Sequence, residues 1–186
     1  MDKYQAYLEE SAQVAVNQKD LIDIFLIFAK KTKERVSKGG GVYLCGNGGS
    51  AADSQHLAAE LVGRFKKNRI PLKSVALTTD SSIITAISND FSFDEIFTRQ
   101  IEALCTSKDV LIGISTSGES KNVLNAIELA NKIGMLTISF TNSSESSITK
   151  KSDYALKIPS LETGIVQQGH ITFGQLLCMY LEETLT

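Results

Sequence analysis

The sequence lacks tryptophan altogether and has two prolines and three cysteines in 186 residues. Its 19 basic and 21 acidic side chains leave a net charge of −2, which argues against binding to nucleic acid or to a membrane surface through charge. Long apolar runs are scarce too, and the longest near the N-terminus, residues 21–29, contains Asp23. We therefore expect neither a signal peptide nor a membrane span, and no nucleic-acid or membrane partner.

The three cysteines are odd in number, lie far apart and fall inside apolar runs, at Cys45, Cys105 and Cys178. This pattern is typical of reduced thiols in the core of a cytoplasmic protein. It argues against a disulfide framework or a zinc knuckle. We expect a cytoplasmic location.

Five short apolar runs predict the strands of one sheet. They lie roughly 20 to 35 residues apart, a spacing that requires crossover connections rather than hairpins. The sequence therefore predicts an α/β domain with a parallel sheet and helices on both faces, which binds ligands beyond the carboxyl ends of its strands. The predicted strands are residues 42–45, 74–77, 110–114, 135–140 and 154–158, and residues 167–185 form a closing helix.

The first 38 residues carry apolar side chains at helical spacing and end in the sequence SKGGG. They predict one long or once-broken helix. Because such a helix is too long to be covered by a domain of this size, we expect part of it to pack against another subunit. Residues 1–186 then form a single domain, with 1–38 as its helical segment for oligomer packing.

The turn 46–51, with the sequence GNGGSA, directly follows the first predicted strand and opens a helix. Unpaired backbone N–H groups and the positive end of a helix dipole would face outward there, which is the setting of an anion site. The same letters satisfy a loose dinucleotide-binding pattern, G-x-G-x-x-A. That pattern also needs an acid about 20 residues further on, and Asp80, the nearest suitable acid, comes too late. We therefore expect no nucleotide cofactor.

The loop after the third predicted strand is rich in hydroxyl groups. It has the sequence ISTSGES, with Ser115, Thr116, Ser117 and Ser120 immediately before a helix. Hydroxyl groups and the N-terminal amides of a helix can together donate to several oxygens of a phosphate monoester. The alternative is that Ser117 or Ser120 only caps the helix. Capping would explain one of these residues rather than four, so we favour a phosphate site.

His56 and Glu60 lie four residues apart on the predicted helix after the glycine turn. Four residues are about 40° past one full turn of an α-helix, so the two side chains share a face. They could reach one ligand or one metal ion together. The alternative is an ordinary solvated pair, which is common at this spacing.

Three segments in this order resemble the sugar isomerase (SIS) fold: CGNGGSAADSQHLAAELVGRF, ALTTD with AISND, and DVLIGISTSGES. Within that fold the chain is similar to the phosphoheptose isomerases, which convert sedoheptulose 7-phosphate to D-glycero-D-manno-heptose 7-phosphate. The resemblance extends from the N-terminal helix to the sequence VQQGHITFGQLLCMYLEE. It implies a flavodoxin-like three-layer fold, a homotetramer with active sites shared across interfaces, and heptose synthesis for a bacterial surface polysaccharide, such as lipopolysaccharide or capsule.

The resemblance also assigns roles to individual residues. Glu60 is implied as the catalytic acid/base, with His56 beside it. In metal-containing members this pair binds zinc, so zinc is an implied cofactor, held here by His56, Glu60 and Gln167. The implied substrate-binding residues are Asn47, Gly48, Gly49, Ser50, Glu60, Asn89, Asp90, Ser115, Thr116, Ser117, Ser120 and Gln167. Asn89 and Asp90 are expected in a loop at residues 86–90, and for the segment 88–90 the alternative is an ordinary turn.

The last helix departs from the family pattern, which has a catalytic, metal-binding histidine eight residues after the glutamine matched by Gln167. This chain has Gln175 at that position. His170 points about 140° away from the same direction on a helix and cannot replace it. A glutamine amide does not titrate near pH 7 and is a poorer zinc ligand than imidazole.

Glu60 must then carry most of the proton transfer, helped by His56. The alternative function is that of a non-catalytic SIS-fold protein that binds phosphosugars or associates with a replication initiator. Retention of the acid favours the enzyme.

Overall fold

The sheet is built from strands that are covered on both faces. A computed structural model describes residues 2–185 and shows five parallel strands in the order β2-β1-β3-β4-β5. The strands are β1 (Val42–Gly46), β2 (Ser74–Ala76), β3 (Val110–Ile114), β4 (Leu136–Thr141) and β5 (Tyr154–Lys157). Every residue of β1, β3 and β4 is buried, as expected of parallel strands between two helical layers. The predicted parallel sheet is confirmed.

Eight α-helices within residues 2–185 cover the sheet. They are α1 (Lys3–Asn17), α2 (Ile22–Val36), α3 (Gly49–Val62), α4 (Ser81–Asp90), α5 (Thr98–Leu104), α6 (Lys121–Ile133), α7 (Ser147–Lys151) and α8 (Thr163–Leu185). The cores that they form lie on opposite faces of the sheet, one around Phe28, Leu57 and Phe173 and the other around Ile101 and Ile127. The chain therefore has the predicted three layers. Among the helices of residues 2–185, none has the length and apolar composition that a membrane crossing needs.

The strand order reverses between β1 and β3. From β1 the chain moves outward to β2 and then returns to the other side of β1, where β3 pairs with it from Val42↔Val110 to Gly46↔Ile114. Crossovers in opposite directions leave a crevice at such a point, outside the carboxyl ends of the two strands. The loops that follow Gly46 and Ile114 therefore lie beside each other at one edge of the sheet.

The N-terminal segment is a helix broken once, as the sequence predicts. A short 3-10 turn at Gln18–Leu21 separates α1 from α2. Val14 of α1 is buried, whereas Tyr4, Leu8 and Val16 are 67%, 67% and 57% exposed. The packing of this segment against another subunit stays a prediction.

Helices α3 and α8 lie side by side and run in the same direction. Gly49 at the start of α3 contacts Gln167, and Leu57 in its middle contacts Gly174. The loop after α3 reaches Glu182 near the end of α8. Polar residues of both helices are thereby brought to the same side of the sheet.

Two predicted boundaries are wrong. Residues 86–90, predicted as a loop, form the last turn of α4. Helix α4 begins at Ser81, where the Asp80 side chain caps it by accepting a hydrogen bond from the Ile83 N–H at 2.9 Å. The closing helix α8 begins at Thr163, before the predicted start at Gln167.

Candidate active site

The glycine turn, residues 46–49, joins β1 to α3. Gly48 is the N-cap of α3 and has φ +56°, a backbone angle that favours glycine. The carbonyl groups of Asn47 and Gly48 accept hydrogen bonds from the N–H groups of Ser50 and Ala51 at 3.0 and 3.1 Å. The start of α3, with its positive dipole end, therefore lies at the crevice between β1 and β3.

Asn47 is held by an asparagine that the sequence analysis did not single out. Asn47 Nδ2 donates to Asn122 Oδ1 at 2.9 Å, and Asn122 Nδ2 donates to Asn47 Oδ1 at 3.0 Å. Asn122 is buried in the first turn of α6, so this amide pair joins the glycine turn to the helix after the serine loop. The signal in the sequence is an amide side chain just before the apolar residues of that helix.

Ser50 lies beneath the glycine turn. It is 3% exposed, and a Cβ added to Gly46 would be 2.7 Å from the Ser50 Cβ. The side chain therefore supports the turn from below rather than lining the crevice. Contact between its hydroxyl and a substrate stays a prediction.

The serine loop, residues 115–120, joins β3 to α6. The Ser115 Oγ lies 2.9 Å from the Ser120 Oγ and 3.4 Å from the Ser117 Oγ. Thr116, the remaining hydroxyl residue predicted here, is half-buried. The structure thus gathers three of the predicted hydroxyl groups into one cluster at the carboxyl end of β3.

Capping does not account for this cluster. Ser120 is the N-cap residue of α6, yet its side chain makes no cap hydrogen bond with any residue that the structure describes. The Ser117 Oγ does accept a local bond from the Glu119 N–H at 3.2 Å. Because α6 begins directly after this loop, the positive end of its dipole lies at the same crevice as that of α3.

Gly118 shapes the serine loop. Its φ is +72°, and a Cβ added there would lie 2.2 Å from the Ser146 Oγ. Its N–H donates to the Ser115 Oγ at 3.1 Å. The loop can therefore fold in this way only with glycine at this position.

An apolar pocket lies under the glycine turn. Its lining residues are Gly46, Asn47, Gly48, Ala51, Thr78, Ile84, Phe93, Ile96 and Phe97. Asn89 and Asp90 lie outside this lining, at the exposed end of α4, where Asn89 Nδ2 donates to Asp90 Oδ1 at 2.8 Å. Their contact with a substrate stays a prediction.

His56 and Glu60 meet on one face of α3. His56 Nε2 is 3.2 Å from Glu60 Oε1, and the side chains are 47% and 24% exposed. The predicted shared face is therefore present. The contact alone fits both a common ligand site and a solvated pair.

Asp53, one turn before His56, is a titratable residue that the sequence analysis missed. Its Oδ2 is buried and has no hydrogen-bond partner within residues 2–185. Burial raises the pKa of Asp53 to about 6, against the opposing effect of His56. An acid three residues before a histidine on one helix face is the signal in the sequence.

Gln167 and Gln175 are both half-buried on α8. Gln167 contacts the glycine turn, since a Cβ added to Gly49 would be 2.4 Å from the Gln167 Nε2. Gln175 is half-buried two turns later. The structure thus brings Gln167 to the predicted anion site.

His170 faces the core. It is 0% exposed, and its Nε2 lies 3.1 Å from the Thr141 carbonyl oxygen. Burial lowers the pKa of His170 to about 4, and the bond to Thr141 opposes this shift. The imidazole is therefore buried and neutral at pH 7.

The zinc ligands that the resemblance implies are His56, Glu60 and Gln167, which make an incomplete donor set. Within residues 2–185, no group of three or more His, Cys, Asp or Glu side chains is placed to hold a metal ion. Catalytic zinc sites use three such ligands. His56 and Glu60 supply two and Gln167 supplies a weaker amide oxygen, so we derive no step through a metal.

Comparison with known proteins identifies the relatives of this chain. The family model of the SIS domain matches residues 4–142. The chain is 46% identical over 188 residues to the phosphoheptose isomerase of Aquifex aeolicus, covering 98% of this chain and 96% of that protein. The chain belongs to the phosphoheptose isomerase family. The resemblance seen in the motifs is confirmed.

Solved structures of phosphoheptose isomerases share the whole fold. The enzyme from Neisseria gonorrhoeae superposes with a TM-score of 0.92 at 35% identity, and each chain is covered to 98%. The phosphoheptose isomerase from Francisella tularensis gives a TM-score of 0.94 at 33% identity, again with 98% of both chains covered. The match therefore includes the N-terminal helices and α8 as well as the sheet.

Proposed function

We propose that this chain isomerises sedoheptulose 7-phosphate to D-glycero-D-manno-heptose 7-phosphate, a step in heptose synthesis for a bacterial surface polysaccharide. The observation that carries the proposal is the meeting of the serine hydroxyl cluster and the glycine turn at one crevice, in a chain of the phosphoheptose isomerase family. The substrate is a sugar phosphate, and these two loops divide its binding between them.

The phosphate binds in the serine loop. The hydroxyl groups of Ser115, Ser117 and Ser120 surround one position at the start of α6. Hydroxyl and amide donors at a helix N-terminus hold a phosphate dianion without a lysine. The amide pair of Asn47 and Asn122 connects this position to the glycine turn.

Glu60 moves the proton. Its carboxylate removes a proton from C1 of the ketose while the O1 proton passes to the C2 oxygen, which gives an enediolate. The Glu60 carboxyl group then returns its proton to C2, and the electron pair on O1 forms the aldehyde carbonyl. His56, at 3.2 Å, holds the carboxylate in place. Backbone N–H groups of the glycine turn and the Asn47 amide stabilise negative charge on the oxygens during transfer.

We also propose an oligomeric state, a cellular location and a set of cofactors for this chain. Exposed apolar residues of α1, such as Tyr4 and Leu8, support association into a homotetramer, which sedimentation equilibrium would measure. A cytoplasmic location and the absence of a nucleotide cofactor stay predictions from the sequence. Zinc binding at His56, Glu60 and Gln167 also stays a prediction, and a zinc titration by calorimetry would test it.

The decisive variant is Glu60→Gln. Loss of the carboxylate removes the acid/base, so we expect turnover of sedoheptulose 7-phosphate to fall by about 1,000-fold. The measurement is ketose loss with time. Glu128→Gln is the matched control, because Glu128 is an exposed acid of α6 that pairs with Lys151 of α7. Absence of turnover in the unchanged protein, with sugar phosphate still bound, would favour the non-catalytic alternative.

The variant Gln175→His tests whether turnover is limited by the missing histidine on α8. An imidazole at this half-buried position restores the family's titratable group, and we expect kcat to rise by about tenfold. Unchanged kcat would show that Glu60 and His56 already carry the proton transfer without a group on this turn of α8.

A further inference from the structure

Two buried charged side chains from distant parts of the chain meet at the C-terminal end of α3. Arg69 lies in the loop after α3 and Glu182 near the end of α8, and their side chains are 1% and 2% exposed. The Arg69 Nε and the Glu182 Oε2 are 3.5 Å apart. We call this pair the Arg69–Glu182 clamp.

Arg69 covers the end of α3. Its Nη2 donates to the Glu60 carbonyl oxygen at 2.7 Å, and its Nη1 donates to the carbonyl oxygens of Leu61 and Gly63 at 2.8 and 3.3 Å. The last carbonyl groups of a helix have no partner within it and carry the negative end of its dipole. A guanidinium group satisfies several of them at once because its N–H donors form a planar fork.

Glu182 holds the loop that follows. Its Oε2 accepts the Phe65 N–H at 3.0 Å, and its Oε1 accepts the N–H groups of Lys66 and Lys67 at 2.9 and 2.8 Å. Burial acts to raise the pKa of Glu182, but these three hydrogen bonds and Arg69 hold it below the usual value. The clamp is therefore an ion pair at neutral pH.

The clamp joins the end of α3 to the end of α8. At the opposite end, the same helices are in contact where Gln167 meets Gly49. A shift of α3 along α8 would separate the buried carboxylate from its N–H donors, and an uncompensated buried charge is strongly destabilising. The register between the two helices is therefore fixed at both ends.

We infer that Arg69 and Glu182 are positioning residues for the reaction, which hold the end of α3 that carries Glu60 in a fixed position along α8. Arg69 binds the backbone carbonyl of Glu60 itself, so the clamp acts on the residue that carries the acid/base group, and Glu182 keeps α8 in register. This inference rests on the proposed function of Glu60 in proton transfer.

Two conservative variants test it. Arg69→Lys keeps the charge and loses the fork, and Glu182→Gln keeps the shape and loses the charge. Asp109→Asn is the matched control. Asp109 is a 0% exposed carboxylate that accepts the N–H groups of Gly41 and Thr106 at 2.6 and 2.7 Å, at the amino end of β3 and away from the site.

Steady-state kinetics with sedoheptulose 7-phosphate separates positioning from stability, at a temperature where circular dichroism shows every variant folded. In both clamp variants kcat falls about 100-fold, the effect of a displacement of about 1 Å at a reacting group, while KM stays within about twofold. KM is spared because the serine loop belongs to β3 and α6. Asp109→Asn lowers the melting temperature and keeps the parent kcat. Parent-like kcat in both clamp variants would overturn the inference, as would an equal fall in Asp109→Asn.

Amide hydrogen exchange gives a readout that needs no turnover. Exchange at residues 59–63 becomes faster in Arg69→Lys and Glu182→Gln than in Asp109→Asn, because the end of α3 is released. Unchanged exchange there would overturn the inference. If the unchanged protein does not isomerise the sugar, the proposed function fails, and this measurement decides whether the clamp holds α3.

Discussion

The two loops at the crevice bind ligand oxygens by different means. The serine loop uses its own hydroxyl groups, which contact one another around Ser115. The glycine turn has backbone donors, and its side-chain contacts come from remote helices, through Asn122 of α6 and Gln167 of α8. The hydroxyl cluster of the serine loop is therefore self-contained, whereas the glycine turn depends on side chains of α6 and α8. Substitutions in the serine loop should affect only that loop, and substitutions in the glycine turn should also affect the helices that contact it.

Among changes in these two loops, the largest effect on turnover is expected from Gly49→Ala. The new Cβ would lie 2.4 Å from the Gln167 Nε2 and 3.0 Å from its Cδ, so the glutamine must leave the turn. We expect kcat/KM to fall about 100-fold, as for a misplaced reacting group. Steady-state kinetics on the folded variant measures it.

A double variant tests whether the effect passes through α8. If Gly49→Ala acts by displacing Gln167, then Gly49→Ala with Gln167→Ala should be no worse than Gln167→Ala alone. If the losses of kcat/KM from the two substitutions are additive, the glycine turn does not act through Gln167. The proposed difference between the two loops would then be wrong.

A smaller effect is expected from Ser120→Ala. It removes one hydroxyl from the cluster, and a hydrogen bond to a charged group contributes about 1.5 to 3 kcal/mol. We expect KM to rise by roughly tenfold or more with kcat nearly unchanged, because the group binds ground state and transition state alike. Ser152→Ala is the control, since the Ser152 Oγ donates to the Ile148 carbonyl oxygen at the end of α7. A fall in kcat at constant KM would contradict a local binding role.

The smallest effect on turnover is expected from His170→Gln, which lies on α8 close to Gln167 but faces the core. Its pKa is about 4 in the folded chain against an ordinary 6.5. Between these values the unfolded chain takes up a proton and the folded chain does not. The free energy of unfolding therefore falls as pH drops from 6.5 to 4, by about 3 kcal/mol in total.

Urea denaturation at pH 7 and pH 5 measures about 2 kcal/mol of this loss, the part that falls between those two pH values. His170→Gln should remove this histidine component, while kcat at pH 7 stays near that of the parent. An equal loss of stability with acid in parent and variant would show that other groups cause it. A large change in kcat in His170→Gln would mean that residues of α8 other than Gln167 also support the glycine turn.

The sheet could be predicted from the sequence, and much of the site's support could not. Apolar runs separated by crossover lengths suffice to predict parallel strands, because each buried strand is continuous in the chain. Helix α8 begins before the predicted Gln167, and its first turn contains Gly164, a residue type that disfavours helices. A Cβ there would lie 2.5 Å from the Tyr7 hydroxyl, so a contact with α1 decides that residue.

The same limit applies to polar partners. The hydroxyl residues of the serine loop are neighbours in sequence, so their cluster could be predicted. Asn122 pairs with Asn47 and Glu182 with Arg69 across the fold. Each of these residues taken alone is an ordinary polar residue of a helix or loop, and nothing in its local sequence points to its partner.

The reversal of strand order between β1 and β3 affects how the chain acquires its binding ability. The two loops come together only after β3 has paired with β1, over a separation that includes all of β2 and α4. Contacts between such distant segments form slowly in refolding, because a long loop must close first. A sugar phosphate added during refolding therefore has no binding site until this closure is complete. The time at which the chain begins to bind the sugar phosphate then reports when β1 and β3 have paired.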